Sequence, residues 1–228
     1  MLRPETGEMM MDRKGMPVLF IGILLTAMEI WKQCYLYFVY FGGQYNVWYF
    51  PFQLCSMPMY LTMLYGLLGK SRKPGAAAVR TSILTFLQDF CLLGGTAALI
   101  VHDGFTYPDH PLLTLHGYIW HILLLVLSFY IFRRGLSDRS LGGFLRILPL
   151  FGISAAAAEL INVLLHGMGD CDMFYISPYH ASSQIVFHDL DGIIGRPAGI
   201  FLYLLTVASG GFLVHLLYHC AGKRFPAV

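Results

Sequence analysis

A thiol, two imidazoles, an amide and a carboxylate lie on three apolar stretches of this chain, and together they could support acyl transfer. Cys55 supplies the thiol and His116 one imidazole, while Glu159, Asn162 and His166 follow one another at spacings of three and four. On a helix that spacing puts all three on one face. Cys55 lies seven residues into its apolar stretch, about 10 Å deep at the helical rise; His116 and Asn162 lie four residues from the outer ends of theirs, about 6 Å deep. A cysteine becomes a strong nucleophile when an imidazole takes its proton. An amide or carboxylate can then orient that imidazole, as the third member of a triad does. The expected catalytic set is Cys55, His116, Asn162 and Glu159, with Gln53 and His166 placed to meet substrate. At this depth the ester carbonyls of membrane phospholipids are in reach. Each residue also has an ordinary packing explanation. Cysteine is a common small hydrophobe in apolar helices, His116 could bond a neighbouring backbone, and Asn162 could join helices.

A second group is charged and deeper. Glu29, Lys32 and Asp89 fall inside apolar stretches, where a charge costs about 2.5–3.5 kcal/mol on insertion scales and needs a partner or a task. Glu29 and Asp89 are expected near mid-membrane, with Lys32 one turn further out and able to pair with either. An interhelical ion pair is one reading. A proton, ion or small-solute pathway is the other.

Other chemistry is poorly served. There is no HExxH or CxxC spacing, so no defined metal motif, and no GxxxxGK[ST] phosphate loop. Neither functional scheme needs a cofactor. Of five cysteines only Cys171 falls in an outer connection, which makes no disulfide framework. The net charge of +2 is a sum over two faces of a membrane and points to no nucleic acid. Nothing in the sequence specifies an oligomeric state.

The elements that must position these residues are membrane helices. Apolar residues make up 57% of the 228 positions and charged residues 12%, with a mean hydropathy of +0.62; a soluble domain carries roughly 25% charged residues. Six stretches approach the length of about 20 residues that a span requires: 17–40, 48–69, 80–101, 112–132, 142–166 and 197–218. They must be helices, because lipid cannot satisfy an open backbone. All 15 Lys and Arg residues except Lys32 and Arg196 fall at the N-terminus, in or beside alternate connections, or in the tail. Connections 41–47, 102–111 and 167–195 have none. The positive-inside rule then predicts an all-α, six-helix bundle with both ends cytoplasmic, multi-pass in the plasma membrane. The expected organisation is a cytoplasmic segment 1–16, a transmembrane domain 17–218 and a tail 219–228, with outer connection 167–195 able to fold over the helix ends as a lid.

Three segments carry a family resemblance. WYFPFQLCSMPMYL at 48–61 resembles the cysteine helix of the bacterial YwaF-like membrane proteins. LHGYIWH at 115–121 and INVLLHGMGDCDMFYIS at 161–177 follow in the same order, and Glu29 and Lys32 resemble a polar pair in the preceding helix. That family is similar to the transmembrane-protein-164 type of acyltransferase, which moves fatty acyl chains between phospholipids with a cysteine and a histidine. The resemblance implies the same activity here, with Cys55 and His116 as the working pair and Asn162 in support. The chain departs from the pattern at Gln53, where relatives often have histidine, and at Phe52, where the vertebrate nucleophile aligns. It also has six apolar stretches where relatives have seven.

Overall fold

The structure is a computed structural model that describes residues 13–225 apart from 70, 72 and 74. Most of the predicted N-terminal segment with Arg3, the basic residues Lys70 and Arg72, and the end of the tail therefore lie outside the described residues. Every regular element among those described is helical.

Helix α1 (Met16–Tyr35) runs into a π-helical turn, Leu36–Tyr40, closed by Phe41 N–H on the Leu36 carbonyl. After two 3-10 turns, Val47–Tyr49 and Leu54–Ser56, comes the short α2 (Met57–Leu68). Four long helices carry most of the rest: α3 (Ala76–Ile100), α4 (Pro111–Arg134), α5 (Leu141–Leu165) and α7 (Arg196–Arg224). The outer connection between α5 and α7 adds a ten-residue helix, α6 (Ile185–Ile194). Five helices, α1 with its π turn, α3, α4, α5 and α7, are long and apolar enough to cross a membrane.

The stretch 48–69 is not the continuous helix its hydropathy suggested. Only Met57–Leu68 is α-helical, 12 residues long, or about 18 Å against the roughly 30 Å of a hydrocarbon core. Two prolines explain the break. Pro51 forces Phe50 into an extended conformation (ψ 131°), while Pro58 sits in the first turn of α2, where its missing N–H costs nothing. The backbone of 50–56 is thus irregular and half-buried against the rest of the protein, and non-helical backbone at membrane depth needs such shelter or a water-filled cavity.

Helices α3 and α4 pack side by side at the centre, with α1 and α2 against one flank and α5 and α7 against the other. Polar bonds tie α4 to α3 and α7 and hold connection 135–140 on α3. Ser128 Oγ donates to the Gln88 carbonyl and meets Tyr218 Oη at 2.6 Å, and Asp138 N–H donates to Thr85 Oγ1 at 2.9 Å. Basic residues gather at this end. Tyr130 Oη donates to the Lys14 carbonyl, His219 contacts the Arg139 carbonyl, and Arg80 lies 4.9 Å from the Tyr65 ring.

Asp138 anchors the start of α5 through Ser140 N–H at 3.0 Å and Arg146 at 2.9 Å. Partial burial alone would push its carboxyl above the usual range, but the Ser140 bonds and the Arg146 charge outweigh burial and hold it below that range. A depressed carboxyl stabilises the fold above the unfolded value and loses that contribution as pH falls through the folded one. Asp138→Asn is therefore expected to lower the melting temperature near pH 7 by about 2–4 °C, the shift ~1 kcal/mol produces in a chain of this size. The gap should close below about pH 4, and thermal scans across pH would show it.

Candidate functional site

One end of the bundle is organised around backbone that lies outside the α-helices. Residues 171–177 dip inward from the outer connection, and Cys171, Asp172, Met173, Phe174 and Ser177 are almost wholly buried. Two side-chain amides hold them. Asn162 Nδ2 donates to the Met173 carbonyl at 3.1 Å and its Oδ1 accepts from Met173 N–H at 2.6 Å. Gln53 Nε2 donates to the Asp172 carbonyl at 2.7 Å and its Oε1 accepts from Phe174 N–H at 2.8 Å. Four successive backbone groups are thus satisfied from α5 on one side and from the turn before α2 on the other. The clamp holds Phe174 (φ 57°) and Tyr175 (φ 58°) in the left-handed region, at a cost of roughly 1–3 kcal/mol each.

Arg196, at the head of α7, is the third fastening. Its guanidinium donates to the Ser177 carbonyl at 2.7 Å, the Tyr175 carbonyl at 3.0 Å and Asp191 Oδ2 of α6 at 2.8 Å. Five rigid donors in one plane suit such a junction. Asp191 Oδ1 presses on Gly199, where any side chain would collide with it. Asp172 lies 3.8 Å from the same guanidinium. Burial raises its carboxyl above the usual carboxylate range, and nearby Asp191 adds to this against the Ser177 amide, His180 and Arg196.

Beneath this clamp lies the thiol. Cys55 is half-buried in the 3-10 turn before α2, and its carbonyl accepts the Trp120 indole N–H at 3.0 Å. His116, one turn before Trp120 on α4, is sandwiched between Trp120 and Trp31 of α1, each ring centroid 5.7 Å away. Its Nε2 lies 3.2 Å from the Met28 carbonyl. A carbonyl oxygen only accepts, so Nε2 carries the proton and Nδ1 keeps the lone pair, with no partner among the described residues. No hydrogen bond joins Cys55 to His116. They are neighbours through Trp120, which stacks on one and holds the backbone of the other.

The profile of the TMEM164 family matches residues 5–216. The chain belongs to the TMEM164 family. It matches no curated protein and no solved structure.

In this TMEM164 family chain the residues picked out by sequence divide into four places. Cys55, His116 and the Glu29–Lys32 pair surround the junction of α1, α2 and α4. Lys32 pairs with Glu29 at 2.8 Å, and Gln33 Nε2 bridges Glu29 Oε1 and the Tyr49 carbonyl. Asn162 and Gln53 serve the inward segment instead: both amides are spent on backbone, and neither bonds His116. Glu159 lies on the same face of α5, where Asn162 and Arg196 are the groups acting on its charge; its Oε2 is buried without a partner among the described residues. His166 stands apart, bonded to the Val163 carbonyl and stacked 4.0 Å from the Tyr179 ring.

Asp89 does not join Glu29 and Lys32. It pairs with His215 of α7 at 2.8 Å, both fully buried, while His215 Nε2 contacts the Ser140 carbonyl at 2.8 Å. The carbonyl accepts, so Nε2 is a donor, and the short contact on Nδ1 then requires a proton shared between imidazole and carboxyl. That pair is neutral as a unit, which suits its burial. No cluster of metal-ligating side chains exists among the described residues.

Residues missed from sequence were Trp31, Trp120, Arg196 and His215. For Trp120 the i, i+4 spacing from His116 was an available signal. For Arg196 it was the lack of any other cation on the outer side.

The amide clamp sets an expectation for Cys171, which is 1% exposed. Asn162→Ala removes two hydrogen bonds of about 0.5–1.5 kcal/mol each, so inward-segment opening should rise roughly 10–100-fold. Peptide-level maleimide labelling of Cys171 would read this directly.

Proposed function

We propose that this TMEM164 family protein is a membrane-embedded acyltransferase, or acyl hydrolase, acting on phospholipid acyl chains. In this reading the five long helices and α2 with its irregular lead-in make six crossings of the plasma membrane. The basic end faces the cytoplasm, and the outer segment 167–195 acts as a lid. The motifs around Cys55 and Asn162 favour a place beside the bacterial YwaF-like proteins.

One observation carries the proposal: Cys55 and His116 share Trp120, whose indole N–H holds the Cys55 carbonyl and whose ring stacks on His116, and the proton-accepting nitrogen of that imidazole has no partner among the described residues. His116 Nδ1 takes the Cys55 thiol proton, and the thiolate attacks an ester carbonyl of a phospholipid. The tetrahedral intermediate collapses to a Cys55 thioester, and the lysophospholipid leaves with the proton from His116. The hydroxyl of a second lysophospholipid, or water, then attacks the thioester with His116 again as base, which restores the thiol. The Met28 carbonyl and the two tryptophans orient His116 throughout. Asn162, Gln53 and Glu159 act by holding the inward segment over the thiol. No step requires a cofactor.

The rival transport reading needs Glu29, Lys32 and Asp89 in one pathway, whereas Glu29–Lys32 and Asp89–His215 are separate pairs.

Intact-protein mass spectrometry after incubation with phospholipid vesicles tests the proposal. Wild type should gain a fatty-acyl increment that hydroxylamine removes, and Cys55→Ala should gain none. His116→Gln should slow formation of lipid products about 10²-fold or more. Product formation undiminished in Cys55→Ala would overturn the mechanism, as would wild type giving neither adduct nor products.

A further inference from the structure

A cavity of about 530 Å³ opens on the outer face between the exit of the π turn and the start of the lid segment. Its size falls within the range of ligand sites. Phe41, Tyr45, Trp48 and Tyr49 contribute four aromatic rings to its wall, and Asp170 contributes the one carboxylate. Close approach of Gly169 to Val47 brings the two walls together: a Cβ at 169 would already lie 3.4 Å from Val47 Cγ2, and the glycine's φ of 140° excludes most other residues.

Asp170 has no ion-pair or hydrogen-bond partner among the described residues. The protein has little to offer it, since the outer connections 41–47, 102–111 and 167–195 contain no Lys or Arg. The nearest candidate, Arg196, is spent on Ser177, Tyr175 and Asp191. Asp170 is exposed, so its carboxylate stands open to a cation arriving from outside. One carboxylate is far short of the six to eight oxygen ligands a calcium ion takes. Aromatic faces around a single carboxylate instead suit an organic ammonium, held by cation–π attraction. The same cavity offers donors for an attached phosphate. The Trp48 indole N–H and the Gln44 amide are unpartnered among the described residues. Asn46 uses its Oδ1 on Trp48 N–H, so its Nδ2 remains a donor.

We propose that this cavity binds the headgroup of an ammonium-bearing, zwitterionic phospholipid. The ammonium sits among the rings against Asp170 and the phosphate on the amides and the indole. Trp48 is seven residues before Cys55, so the cavity and the thiol share the lead-in to α2. The inference deepens the phospholipid reading above and rests on it for its purpose, but its test reads binding rather than turnover.

The full chain carrying Cys55→Ala, which cannot form the thioester, is placed in nanodiscs of dioleoylphosphatidylcholine or dioleoylphosphatidylethanolamine mixed equally with dioleoylphosphatidylglycerol. Native mass spectrometry then counts the lipids retained on the released protein. The ammonium-bearing lipid should be retained at least about threefold over phosphatidylglycerol, since a site contribution of ~0.6 kcal/mol already gives that ratio. Asp170→Asn and Tyr45→Leu, both at exposed positions, should each erase the bias with an unchanged melting temperature. Equal retention of the two lipids, or a bias that survives both substitutions, overturns the headgroup site. A bias that behaves as expected in a protein whose wild type shows no acyl transfer sinks the enzymatic reading alone.

Discussion

Backbone N–H and C=O groups inside a membrane-embedded bundle must find partners within the protein, and the outer half of this chain is built around that demand. Residues 50–56 and 171–177 lie outside the α-helices, the first segment half-buried and the second almost wholly buried. Neither could exist alone. Gln53 lies in the first segment and spends its amide on the second, and Asn162 completes the pairing from α5. The left-handed Phe174 and Tyr175 are held because these bonds and the three donated by Arg196 over-determine them. The position of Cys55 follows from the same arrangement, because its turn is the one that Gln53 begins.

The fold was largely legible in the sequence because hydropathy and length report burial in lipid directly. It failed where composition and conformation part company. Residues 48–69 are apolar throughout, yet Pro51 and Pro58 restrict the helix to the second half. Helix α6 was hidden for the opposite reason: its ten residues include His188, Asp189 and Asp191, so the stretch read as a solvated loop. The candidate site was legible as a set of residues but not as a set of bonds. Depth along each helix placed Cys55 and His116 together, whereas rotation about the helix decides contact, and a pattern of apolar residues on all sides fixes no rotation. Asn162 was picked out for the right reason, a buried amide that needs partners, but its partners proved to be backbone.

The charged residues follow a related rule. Two charged groups inside the helices are matched within a short distance, Lys32 by Glu29 three residues away and Asp89 by His215 across the bundle. The first pair reaches the lead-in to α2 through Gln33 and the Tyr49 carbonyl. The second ties α3 and α7 to connection 135–140 at the far end. Matched in this way, neither leaves net charge in the hydrocarbon, and the two halves of the bundle are fastened independently.

The clamp also has a consequence for how the chain matures. Gln53 meets partners 119 and 121 positions further along, and Asn162 meets its own only 11 positions on. During synthesis α1 to α4 enter the membrane with Gln53 and the Cys55 turn uncovered. Closure waits for α5 and the segment after it, and Arg196 arrives later still. Local pairing around Asn162 precedes the long-range pairing, because a short loop closes at lower entropic cost than a long one. The Cys55 turn is thus fastened last, so a ribosome stalled before α5 leaves the Gln53 amide without its partners. That makes the nascent chain, more than the finished protein, the form most in need of quality control.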